Sequence, residues 1–98
     1  MRKVEFENEL SNEFLSLRKT AIKSRVFWAE WTERSFSVDL DAVVRNDRST
    51  YILLIQIKRN SSEKHGKIQN SVRRYYRFVN GRECPRLKDL RGQVESRE

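Results

Sequence analysis

Residues Phe36–Arg59 read FSVDLDAVVRNDRSTYILLIQIKR, two apolar segments on either side of the polar RNDRST of residues 45–50. On an extended chain side chains alternate between faces, so Phe36, Val38, Leu40, Ala42 and Val44 share one face and Asp39 and Asp41 the other. Two acids then point the same way. In the second segment Tyr51, Leu53, Ile55 and Ile57 take one face and Ile52, Leu54, Gln56 and Lys58 the opposite one. This run is apolar on both faces up to Gln56, the pattern of a central strand covered on both sides. RNDRST has turn composition and predicts a hairpin between the two strands.

Working outward, Ser24–Glu33 (SRVFWAEWTE) alternates well enough for a further strand, rich in β-branched and aromatic residues. Its tryptophans, Trp28 and Trp31, suit a core, and they also suit stacking on bases. From Val4 to about Lys19, Phe6, Leu10, Phe14 and Leu17 recur at helical spacing and predict an amphipathic first helix. Glu7 and Glu13 border its stripe, and Glu9 lies nearer solvent. After Lys58 comes a polar loop in which Ser61 and Ser62 can cap a helix. A second helix over 67–79 buries Ile68, Val72, Tyr75, Tyr76 and Val79 and turns Asn70, Arg73, Arg74 and Arg77 outward, with Asn80-Gly81 ending it. Residues 82–98 form a charged tail in which Glu83–Leu87 could pair weakly as a strand and Leu87, Leu90 and Val94 could form a short helical stripe. The pattern predicts an α/β domain, with strands at 25–33, 36–44 and 51–58 in one mixed sheet and helices 5–18 and 67–79 packed on it.

Ninety-eight residues make one domain, with a core over about 5–81. Lys plus Arg number 21 against 14 Asp plus Glu, a net charge of +7, which favours an anionic partner such as nucleic acid. Positive charge concentrates in residues 58–77. The single cysteine, Cys84, cannot form an internal disulfide, which fits a reducing compartment. His65 is the only histidine and has no Cys or His at zinc-ligand spacing. The longest apolar run is too short to span a bilayer and follows no charged-then-apolar leader, so the expectation is a cytoplasmic protein with no membrane partner.

The VDL-A of residues 38–42, followed by a short hairpin and the IQIK of residues 55–58, resembles the signature of PD-(D/E)XK nucleases. Within them it is most similar to archaeal Holliday-junction resolvases, whose first helix carries a metal-site Glu in an E-x-E-L context; residues 7–10 here read ENEL. The resemblance implies a restriction-endonuclease-like α/β core and a metal-dependent endonuclease acting on duplex or branched DNA as a homodimer. It implies Glu7, Asp39, Gln56 and Lys58 as catalytic residues. Mg²⁺, or Mn²⁺, would be held by Asp39, Gln56, the Ile57 carbonyl and Glu7, while Lys58 orients or deprotonates the attacking water and stabilises the transition state. Where the motif has Glu or Asp this chain has Gln56, whose neutral amide brings no formal charge to offset dehydration of the ion. Asp41, beside Asp39, is placed to compensate.

Two readings follow. One is the metal-dependent DNA endonuclease. The other is a non-catalytic DNA-binding module in which Gln56 marks a degenerate metal site. In both, Arg59, Lys64, Lys67, Arg73, Arg74 and Arg77 carry the contacts to phosphate.

Overall fold

Burial within Phe36–Arg59 follows a period of 3.6, not 2. Thr50, Leu53, Leu54 and Ile57 are buried while Ile52, Gln56 and Lys58 are exposed, the i, i+3, i+4, i+7 stripe of an amphipathic helix. In the computed structural model, which describes residues 1–13, 19–60 and 65–96, the described residues form six helices and no strand. These are α1 (Lys3–Glu13), α2 (Lys19–Phe36), α3 (Leu40–Val44), α4 (Asp47–Asn60), α5 (His65–Asn80) and α6 (Leu87–Ser96). The expected mixed sheet is therefore replaced by an all-helical globule. Phe14, Leu17, Ser61, Ser62 and Lys64 lie outside the described residues.

The corrections have local causes. RNDRST closes no hairpin; it ends α3 and starts α4. Asn46 Oδ1 accepts the Ser49 N–H at 3.1 Å, the bond an N-cap makes to the third helical residue. Thr50 Oγ1 donates to the Asn46 carbonyl at 2.9 Å. The segment expected as a strand at 25–33 is the middle of α2, whose buried residues Ile22, Val26, Ala29 and Thr32 recur at helical spacing. At the end of α2, Ser37 takes a left-handed φ of 53°. The Val38 N–H reaches the Glu33 carbonyl at 3.1 Å, closing a Schellman turn. Residues 83–87 pair with no strand, and Leu87 opens α6 instead.

Helix α5 agrees with the sequence pattern, as does α1 over the part of the predicted 5–18 that is described, up to Glu13. Gly81, at φ 71°, returns its N–H to the Arg77 carbonyl at 2.8 Å and ends α5 as a left-handed cap. Helix α5 is the centre of the fold, packing against α1, α2, α3 and α4, while α4 also packs on α6. Its Tyr75 and Tyr76 are fully buried. Rings of that size bury without penalty only if the hydroxyls find partners. The Tyr75 hydroxyl donates to Asp41 Oδ1 at 2.8 Å and the Tyr76 hydroxyl to Asp47 Oδ1 at 2.7 Å. Around them Phe6, Leu10, Val26, Leu40, Val44, Leu54, Ile57, Val72 and Leu90 complete one core.

Candidate nucleic-acid interface

The residues expected to form a metal site take other roles. Asp39 is the N-cap of α3, its Oδ1 accepting the Asp41 N–H at 3.0 Å. Asp41 belongs to a network with the Tyr75 hydroxyl and Arg2, whose Nε lies 3.2 Å away. Burial works against ionisation of Asp41. Hydrogen bonds from Tyr75 and Arg2, with the charges of Arg2 and the Met1 amino group, outweigh it and hold the carboxyl below its ordinary value of 3.8. Burial is also the main force raising the Tyr75 hydroxyl, to about 12, and the Asp41 hydrogen bond adds to it.

Gln56 and Lys58 would be neighbours on a strand, but on α4 they stand about 200° apart around the axis and point to different sides. Gln56 also sits far from the acids along the fold. Leu54, two residues before it, meets Gln69 through its carbonyl, whereas Asp41 meets Tyr75. Those α5 positions are separated by about 9 Å of helix rise. The Ile57 side chain is fully buried among core residues. Glu7 lines a separate groove with Lys3, Lys23, Val26, Phe27 and Glu30. Among the described residues no three acids, histidines or cysteines are grouped to hold a metal ion. With Gln56 removed from Asp39 along the fold, these two do not share one Mg²⁺ or Mn²⁺ as the strand pairing required.

The basic residues divide into two groups. Arg73 donates from Nη1 to the Pro85 carbonyl at 3.2 Å, and Arg77 pairs with Glu83, so both tie α5 to the segment before α6. Arg59 is exposed at the end of α4. Lys67 and Arg74 instead lie on the side of α5 that meets α2.

There the two helices enclose a pocket of about 250 Å³ lined by Ala21, Ser24, Arg25 and Trp28 of α2 and Lys67, Asn70 and Ser71 of α5. On a helix Ala21, Ser24, Arg25 and Trp28 are i, i+3, i+4 and i+7 and share one face, as do Lys67, Asn70, Ser71 and Arg74. Arg25 donates from Nη1 to the Ala21 carbonyl at 3.3 Å, but its buried Nε has no hydrogen-bond partner among the described residues. Burial, and then the neighbouring Arg74 charge, pushes the Arg25 guanidinium below its usual range. No acid lines this pocket among the described residues. Ser71 spends its hydroxyl proton on the Lys67 carbonyl at 3.1 Å, leaving Arg25, Lys67, Ser24 and Asn70 to supply donors to a ligand. The strand reading of residues 24–33 put Arg25 and Trp28 on opposite faces. Read at helical spacing, the same residues bring Arg25 and Trp28 together.

Comparison of the chain with protein-family models, with curated proteins and with solved structures found no match. No described helix is long and apolar enough to cross a membrane.

Proposed function

We propose that this chain is a non-catalytic DNA-binding module that holds phosphates at the cationic pocket between α2 and α5. The observation that carries this reading is the pocket itself, which brings Arg25 of α2 and Lys67 of α5 together with no acid among its described lining residues. Two cations brought to one pocket repel, and an anion held between them relieves that repulsion. A phosphate meets that need, since its oxygens accept from guanidinium and ammonium groups with charge-assisted bonds. The surplus of +7 supplies longer-range attraction to a polyanion. Recognition of this kind reads backbone rather than base edges, so it tolerates sequence.

The endonuclease reading drew its support from Asp39, Gln56 and Lys58 converging on neighbouring strands, and helices α3 and α4 remove that support. Incubating the protein with labelled single-stranded, linear, nicked and four-way-junction DNA, in Mg²⁺, Mn²⁺ or EDTA, tests both readings. The binding module predicts complexes of equal affinity in EDTA and in metal at matched ionic strength, with the DNA intact. Metal-dependent cleavage lost on Asp39→Asn would overturn it. Sedimentation of the complex measures the stoichiometry, for which the resemblance implied two chains.

A further inference from the structure

The pocket between α2 and α5 is larger than a phosphate group requires. At about 250 Å³ it has room for roughly eight waters, at ~30 Å³ each, so a ligand that fills it brings more than one phosphate. It also has an aromatic wall. Trp28 is half-buried and lines the pocket, with Phe27 and Trp31 in edge-to-face contact with its ring at 80° and 73°. Arg25 and Trp28, at i and i+3 on α2, line one side of the pocket, and Lys67 of α5 lines the other.

We infer that the pocket takes one unpaired nucleotide of a single-stranded nucleic acid, its phosphate on Arg25 and Lys67 and its base against Trp28. The inference rests on the nucleic-acid reading above and adds the form of strand that is bound. Duplex DNA presents phosphates on a convex cylinder with its bases stacked inside. Such a phosphate can touch exposed Lys67 at the rim, but no base reaches Trp28. An unpaired nucleotide offers both groups at once, and aromatic stacking is indifferent to which base is offered. Asn70, exposed on the rim, is a further donor to phosphate or sugar.

The test uses the Trp31→Phe variant, in which Trp28 is the only indole. Titrated with oligothymidylate, its emission should be quenched, while a duplex of equal length and inorganic phosphate leave it nearly unchanged. In the wild type the single strand should bind about tenfold more tightly than the duplex at equal salt, and Trp28→Leu should remove that preference with little effect on duplex binding. Single-strand binding with silent Trp28 emission, or a strand preference that survives Trp28→Leu, overturns the inference and leaves the broader DNA-binding reading intact. Failure to bind any of these nucleic acids overturns both.

Discussion

Arg25 and Arg74 stand on neighbouring helices with their charges opposing one another, and the Arg25 Nε is buried without a hydrogen-bond partner among the described residues. An unsatisfied buried donor costs stability in the free protein. Methionine has similar length and no charge or donor to satisfy. Arg25→Met should therefore raise the stability of the free chain by about 1 kcal/mol while weakening binding to nucleic acid. Urea denaturation and a binding titration on the same preparation measure the two effects. A variant that is less stable and binds as well as the wild type would assign Arg25 a purely structural role.

The Asp41 network fixes how the fold responds to acid. Its folded pKa lies below the ordinary 3.8, so the stabilisation it gives is complete above the unfolded value and is lost as pH falls through the lower folded one. Asp41→Asn should cost about 1.5–3 kcal/mol near neutrality, the worth of a hydrogen bond to a charged group. It should also flatten the fall in stability below about pH 4. Denaturation midpoints between pH 2 and pH 7 check both parts. Parallel curves for the two proteins would show that other carboxylates set the acid limb.

At the end of α2 the left-handed Ser37 offers a test of the fold itself. A side chain at this φ of 53° is strained relative to glycine, by about 1–2 kcal/mol before the chain-entropy cost of glycine is deducted. Ser37→Gly should stabilise the protein by about 0.5–1 kcal/mol, and Ser37→Val should destabilise it by more. In the extended hairpin strand expected from the sequence the order would be reversed. Far-ultraviolet circular dichroism of the same samples should give the double minimum of a helical protein.

The sequence was legible where apolar residues recur at helical spacing and the intervening residues are polar. Phe6 and Leu10 of α1, and Ile68, Val72, Tyr75 and Tyr76 of α5, are buried as that pattern requires. It misled where apolar residues also fill the exposed side. Ile52 and Ile55 flank the buried Leu53, Leu54 and Ile57 of α4 and produce a continuous run that fits a buried strand as well as a helix. In α2 the interleaved Val26, Phe27, Trp28, Ala29 and Trp31 had the same effect. Reading strands for helices then placed Gln56 beside Lys58. It also separated Arg25 from Trp28, so the cationic pocket was hidden although Lys67 and Arg74 had been picked out as phosphate contacts.

The most direct measurement of the central claim is the salt dependence of single-strand binding, because each neutralised phosphate lowers the slope of log K against log salt by about 0.7. Replacing Arg25, Lys67 and Arg74 together by Gln should make that slope shallower by about 0.7, the value for the one phosphate held in the pocket, and weaken binding at low salt. The same change at the exposed Arg34, Arg45 and Arg48, none of which lines the pocket, should alter it by less than half as much. Equal effects of the two triple variants, or an unchanged slope in the first, would contradict the assignment of the α2 and α5 pocket as the binding site.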